Sequence, residues 1–368
     1  MFLRQGRCTF VLQTDAIVTL FRVSVNAQES MNESFLFNCI MIKDIRNIAV
    51  FTSGGDAPGM NACVRAVVRT GLFNGFKVYG IRRGYSGMVA GDIFEMDSHS
   101  VSNILQRGGT ILKTARSQEF RTPEGRKLAY EQLRKYEIDA VVAIGGDGTF
   151  TGADVFMKEY PDIRMIGCPG TIDNDLSGTD FTIGFDTAIN TVIDAVDKIR
   201  DTAASHDRLF FVEVMGRDSG MIALASGIGV GAEAILIPET KTYVDQLIVS
   251  LERGWMHNKT SCIILVAEGD ESGGAYQLAK MVQERFQYYE TKVSILGHMQ
   301  RGGKPTAADR MLASRLGYEA VEALARGRKG IMIGEVHGQV AYTPFSQAIK
   351  DEGKVNFNLV KMAEILSM

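Results

Sequence analysis

The chain has 368 residues, 45% of them hydrophobic and 23% charged, which is ordinary for a globular protein and long enough for two domains. A net charge of −3 leaves no electrostatic footprint for nucleic acid or an anionic membrane. The five cysteines form no CxxC pair and the five histidines show no metal-ligand spacing, so buried free thiols in a reducing cytoplasm are expected, not a metal or thiol site.

The first forty residues fit no clean element. Arg4 and Arg7 precede a mixed segment, and Gln5, Gln13 and Asp15 make a poor apolar core for a secretory signal. Met41 is the expected functional start, with 1–40 an extension that is disordered or not native. No stretch reaches the roughly 18 apolar residues of a membrane span.

From residue 45 the pattern is strand, loop, helix, repeated. Apolar runs at 48–51, 77–81, 140–144, 165–168, 209–214, 233–237, 262–267 and 293–296 predict strands. They are continuous, not alternating, as in a parallel sheet covered on both faces. A helix is predicted from Asn61, and another over 188–204, where Ile189, Val192, Ile193, Val196 and Ile199 form one apolar stripe. The alternation predicts an α/β protein, doubly wound, with more strands than one sheet holds comfortably and hence two sheets. Ligands in such folds bind at the carboxyl ends of strands.

Two of those strand ends carry chemistry. Gly145-Gly146-Asp147-Gly148-Thr149 offers bare backbone amides at a helix start, where an anion can approach. Asp147 would repel phosphate unless a divalent cation lay between them. The plain alternative is a turn in which Asp147 or Thr149 caps the helix. The second, Pro169-Gly170-Thr171-Ile172-Asp173-Asn174-Asp175, concentrates two carboxylates and a hydroxyl. In an extended loop Asp173 and Asp175 would face one side, one taking a proton from an attacking hydroxyl and the other supporting it. A third segment, Thr52-Ser53-Gly54-Gly55-Asp56, repeats the strand-Gly-Gly-Asp-helix form. Arg116, Arg208, Arg217 and Arg301 are read as loop residues whose forked donors suit a phosphorylated substrate. A lone His298 reads as a structural histidine.

Together with Ala57-Pro58-Gly59-Met60-Asn61, Val214-Met215-Gly216-Arg217 and Leu296-Gly297-His298-Met299-Gln300-Arg301-Gly302-Gly303, these motifs strongly resemble the bacterial 6-phosphofructokinase family. The likeness runs from about Met41 nearly to the C-terminus. It implies two Rossmann-like domains with the active site in the cleft between them: 41–182 plus 299–345 for nucleotide, 183–298 plus 346–368 for sugar phosphate. Gly55, Tyr85, Arg116, Ser117, Gly146, Asp147, Gly148 and Thr149 would surround ATP, and Asp147 would hold Mg²⁺. Asp173 would be the base on the 1-hydroxyl of fructose 6-phosphate, with Thr171, Asp175 and Arg217 beside it in the catalytic set. Met215, Gly216, Arg217, Glu268, His298 and Arg301 would bind the sugar phosphate. Arg208 and Lys292 would reach that site from a neighbouring subunit, which implies a homotetramer.

In this family pyrophosphate users typically carry Asp at the place of Gly148 and Lys at that of Gly170. Glycine at both places favours ATP here. Lys292 stands where relatives have an arginine, so the fork is lost while the charge remains. Arg65, Arg69, Arg200, Glu233 and Lys259 match an allosteric effector site, but Ser98 and His257 replace basic residues there, and effector control is expected to be weak or altered. An NAD-dependent oxidoreductase is disfavoured, because the first strand leads to Gly-Gly-Asp and not to a GxGxxG turn.

Overall fold

Strands β1 (Asn47–Thr52) and β4 (Ala140–Gly145) are buried at every position, so neither face of their sheet meets water. That burial is why they read as unbroken apolar runs. The computed structural model describes residues 45–257, 261–350 and 355–367, all within one compact unit that begins at Ile42. The expected extension over 1–40, with Cys8 and Cys39, lies outside these described residues, as does Lys259.

Five strands of the larger sheet are parallel: β1, β2 (Lys77–Ile81), β4, β5 (Arg164–Pro169) and β10 (Ile331–Val336). Only its two outermost strands are antiparallel, β3 (Ile93–Met96) on β2 and β11 (Gln339–Pro344) on β10. The order is β11-β10-β5-β4-β1-β2-β3. The smaller sheet has the order β7-β8-β6-β9 and is parallel throughout: β6 (Arg208–Val214), β7 (Ala234–Leu236), β8 (Cys262–Ala267) and β9 (Glu290–Ile295). Two sheets of this kind were predicted from the alternation alone.

Connections run through α1 (Met60–Phe73), α2 (Gly84–Ala90), α3 (Pro123–Lys135), α4 (Asp147–Glu159), α5 (Phe185–Ala204), α6 (Met221–Val230), α7 (Val244–Met256), α8 (Ala275–Gln283), α9 (Ala307–Ala325) and α10 (Phe357–Leu366). Val192 and Val196 of α5 are fully buried and Ile189, Ile193 and Ile199 are half-buried along the stripe's edges. One core, with Phe51, Phe150, Phe156 and Met165, lies on the larger sheet. Another, with Phe211, Ile264, Leu278 and Phe286, lies on the smaller.

Three strands escaped the sequence reading. β3 is only four residues, and β10–β11 form a hairpin turning through His337 and Gly338, both at positive φ. β9 starts three residues earlier than the apolar run suggested, because as an edge strand it tolerates the polar Glu290, Thr291 and Lys292. Cys63, Cys168 and Cys262 are buried free thiols, as expected. Among the described residues no helix is long and apolar enough to cross a membrane.

Candidate active site

Parallel strands β1, β4 and β5 all end at one cleft of about 730 Å³, a size suited to a nucleotide or similar ligand. Ser53 extends the β1–β4 pairing by one bond, its N–H donating to the Ile144 carbonyl at 2.9 Å. This brings the Gly54-Gly55 turn against Gly145. A Cβ at Gly145 would stand 2.7 Å from the Ser53 carbonyl oxygen, a backbone atom that cannot swing away, so only glycine fits.

Helix α4 opens from Gly146 with no side-chain cap, leaving its first amides for a ligand. The plain alternative of a capped turn is thus not realised at this helix start. Asp147 occupies the first turn, half-buried, and lines the cleft with Gly146, Gly148 and Thr149. Tyr85 is deeper than a binding residue would be: it is buried, stacked on Phe120 with centroids 3.9 Å apart, and its hydroxyl donates to the Thr149 carbonyl at 2.6 Å. It forms the back wall of the pocket and supports α4. Burial drives its phenol well above the ordinary value. Arg116 and Ser117 line the same end of the cleft.

The loop after β5 places Thr171, Asp173 and Asp175 on the cleft wall, but not by extended alternation. Asn174 is left-handed (φ 49°) and fully buried, its Oδ1 accepting from the Thr182 N–H at 2.9 Å and its amide donating to the Asp180 carbonyl at 3.1 Å. A turn pinned by Asn174, not a pleat, sends both carboxylates the same way. Asp173 is only 3% exposed, and its Oδ1 accepts no hydrogen bond. Burial, reinforced by Asp175, raises its pKa against the pull of Arg301 and Arg217.

Arg217 approaches Asp173 to 3.6 Å (Nε to Oδ2). Its backbone N–H donates to Glu268 Oε1 at 2.8 Å, so Glu268 holds the loop after β6. Gly216 lets that loop turn, since a Cβ there would lie 2.3 Å from the Ser219 carbonyl. The Met215 N–H donates to Gln300 Oε1, and Gln300 in turn donates to the Gly297 carbonyl, which ties the β6 end to the helical turn Gly297–Arg301. Arg301 closes that turn and enters the cleft, while His298 is exposed outside the lining.

Arg208 departs from its expected loop placement: it is the first residue of β6, at the end of the strand away from the cleft. There it pairs with Glu290 at 2.8 Å, and Lys292 pairs with the same carboxylate at 2.5 Å. Glu290, which carried no signal in the sequence, is held down to about 2 by Lys292 and then Arg208. Lys350, also missed, lines the cleft and pairs with Asp218 at 2.7 Å.

Of the residues matched to an effector site, the four that are described, Arg65, Arg69, Arg200 and Glu233, do not line this cleft. Arg65 and Arg69 lie on α1, where burial and the neighbouring Arg69 lower the Arg65 pKa. Arg200 donates to the Val230 carbonyl at 2.6 Å, and Glu233 accepts from the Ile263 N–H.

Among the described residues no three His, Cys, Asp or Glu side chains gather into a metal cage. A single carboxylate beside a phosphate cradle nevertheless fits Mg²⁺, which keeps waters and phosphate oxygens as its other ligands. Asp147 meets that description.

Uncapped amides, one deeply buried carboxylate and arginines converging on one cleft define the class as a phosphoryl-transferring α/β enzyme. Comparison with known proteins narrows it. The phosphofructokinase family profile matches residues 47–324, and the chain belongs to that family. It is 56% identical over 324 residues to ATP-dependent 6-phosphofructokinase 2 of Bacteroides thetaiotaomicron, covering 88% of this chain and 99% of that protein. Against ATP-dependent 6-phosphofructokinase 1 of Thermus thermophilus it is 53% identical over 324 residues, 88% of this chain and all of that protein. The phosphofructokinase structure from Saccharomyces cerevisiae superposes with a TM-score of 0.80 at 38% identity, covering 88% of this chain and 48% of that one.

Proposed function

We propose that this cleft transfers the γ-phosphoryl group of ATP to O1 of fructose 6-phosphate, giving fructose 1,6-bisphosphate and ADP, the committed step of glycolysis. The observation that carries the reading is the buried Asp173 carboxylate, whose Oδ1 lacks a donor, set in the cleft of a chain 56% identical to a relative named for this reaction.

Asp173 accepts the proton of the sugar 1-hydroxyl as O1 attacks the γ-phosphorus and the bond to the ADP oxygen breaks. A raised pKa suits it to this work, since a base close to the working pH takes and releases a proton readily. Thr171 and Asp175 flank it. Arg116, Arg217 and Arg301 balance charge on the transferred group. The amides of 146–148 hold the nucleotide phosphates, with Thr149, Gly55, Tyr85 and Ser117 completing that side. Asp147 would hold Mg²⁺, which neutralises phosphate charge when bound. Met215, Gly216, Glu268 and His298 shape the sugar-phosphate side.

A homotetramer with shared sites accords with the place of Arg208 and Lys292. Arg208 is six residues from Val214, the end of β6 that meets the cleft, roughly 20 Å at strand spacing, so its phosphate would come from another copy. The proposed division is 41–182 plus 299–345 for nucleotide and 183–298 plus 346–368 for sugar phosphate, each built on one of the two sheets. The effector reading of Arg65, Arg69, Arg200 and Glu233 and a cytoplasmic location belong to the same proposal; the buried free thiols agree with the latter.

The test is a coupled assay with fructose 6-phosphate and either ATP or pyrophosphate as donor. Turnover with ATP and Mg²⁺ and none with pyrophosphate is expected. Preference for pyrophosphate would overturn the donor assignment, and no turnover with either would overturn the activity.

A further inference from the structure

Asp309 is a buried acid that no step above uses. It sits in the first turn of α9, 1% exposed, and its carboxylate turns away from its own helix. Oδ1 accepts from the Gly184 N–H at 2.7 Å and Oδ2 from the Thr187 N–H at 2.8 Å. These are the opening amides of α5, whose own N-cap residue is Gly184, at φ 106° and without a side chain to do the capping. A residue more than 120 positions later supplies the missing cap and places a negative charge at the positive end of the helix dipole. Thr306 answers from the other side, its hydroxyl donating to Asp186 at 2.5 Å and its N–H to Thr187 Oγ1 at 3.0 Å. The starts of α5 and α9 are therefore locked to each other.

The segment just before α5 is what touches the catalytic loop. The Ile183 N–H donates to the Pro169 carbonyl at 2.8 Å, extending β5 by one bridge between Gly170 and Ile183. Thr182 donates its hydroxyl to the Thr171 carbonyl at 2.6 Å and its N–H to Asn174 Oδ1 at 2.9 Å. Those two contacts bracket Asp173. We propose that Asp309 is a positioning residue for phosphoryl transfer, fixing 182–184 and through it the turn that aims Asp173. The packing leaves little slack, for a Cβ on Gly184 would lie 2.6 Å from that of Ala57, and one on Gly59 would lie 2.7 Å from Ile183 Cγ2. This inference rests on Asp173 being the base.

The experiment is a double-mutant cycle on the full chain, with kcat and both KM values read for Asp309→Asn, Asp173→Ser and the pair. Asparagine keeps the shape but offers one acceptor oxygen in place of two. Asp309→Asn should lower kcat about 10–100-fold, the scale of a misplaced reacting group, with each KM within about twofold. In the Asp173→Ser background it should cost nothing further, because there is no base left to aim. Losses that multiply, an unchanged kcat, or an effect confined to KM would overturn the proposal. Should Asp309→Asn fail to fold, Thr182→Val breaks the next contact in the series without changing volume, and the same pattern and the same overturning results apply. Near-normal turnover in Asp173→Ser alone would instead refute the base assignment, so the two failures are distinct.

Discussion

The guanidinium of Arg301 lies directly over the backbone of Gly55: a Cβ added there would stand 2.3 Å from Nη1 and 2.9 Å from Cζ. The two residues come from opposite ends of the chain and from what we assign as opposite substrates, nucleotide for Gly55 and sugar phosphate for Arg301. Nη1 also donates to the Asp56 carbonyl at 3.3 Å, so the arginine is oriented by the very turn we assign to the donor.

Gly55→Ala should therefore act on the partner substrate. The methyl group must push the guanidinium aside, since the turn itself is fixed by the β1–β4 pairing. Loss of a charge-assisted hydrogen bond of about 1.5–3 kcal/mol predicts a fall of roughly 10–100-fold in kcat/KM for fructose 6-phosphate. Steady-state kinetics with each substrate varied in turn, beside a melting curve, checks this. An effect limited to ATP would show that the contact does not couple the two sides.

Asp173 should trade stability for chemistry. Its pKa is raised in the native state by burial and by Asp175, with Glu268 adding and Arg301 and Arg217 opposing. The native protein thus holds this proton more tightly than the unfolded chain does. Its contribution to stability is full below the ordinary carboxylate pKa of about 4 and is lost as pH rises through the higher native value. Asp173→Asn removes that loss, so the variant should melt above the parent at pH 7–8, with the gap closing toward pH 4. Its kcat should fall about 10²–10⁴-fold. A melting difference that grows on acidification would contradict the burial argument.

How much of this was legible beforehand depended on sequence distance. Strand ends and glycine turns are local, so the two phosphoryl-transfer loops and both sheets followed from apolar runs and their punctuation. Asp173 and Asp175 both line the cleft, but by a geometry other than the extended one expected, because nothing in the segment 169–175 announces that Asn174 turns left-handed and anchors to Thr182. Tyr85 was implied by the family resemblance as an ATP-site residue yet serves mainly as wall, its hydroxyl committed to Thr149. The His337-Gly338 hairpin did carry a turn signal, flanked as it is by Glu335-Val336 and Gln339-Val340. Asp309 carried none. Its partners are 122 and 125 residues away, and in sequence it is one more acid in a helical first turn.

Lys292 pairs through Glu290 with Arg208, so the two cations already share one anion before any phosphate arrives. A lysine offers no fork to divide between carboxylate and ligand. Lys292→Ala should raise KM for fructose 6-phosphate more than it lowers kcat, since the contact proposed for it is with a part of the substrate remote from the reacting atoms. An unchanged KM in steady-state assays would remove Lys292 from the site.

Donor choice turns on two glycines whose surroundings differ. A Cβ on Gly148 would meet nothing within 4 Å, so Gly148→Asp fits the native backbone and should leave the melting temperature within about 2 °C. What changes is charge. The carboxylate would stand beside Asp147 at the mouth of α4, where we place the nucleotide phosphates, and like charges there should lower kcat/KM for ATP by at least about 10-fold. Gly170 is different, because its Cβ would lie 3.0 Å from Ile144 Cγ2, a methyl fixed close to the backbone, and 3.1 Å from Met60 Cε, the movable end of its side chain. Gly170→Lys must displace them, so it should cost stability as well as ATP turnover, about 1–3 kcal/mol for an overpacked site. Measuring melting and ATP kinetics on both single variants separates the effects. An unstable Gly148→Asp with normal ATP affinity would show that the glycine is needed for folding and not for the nucleotide.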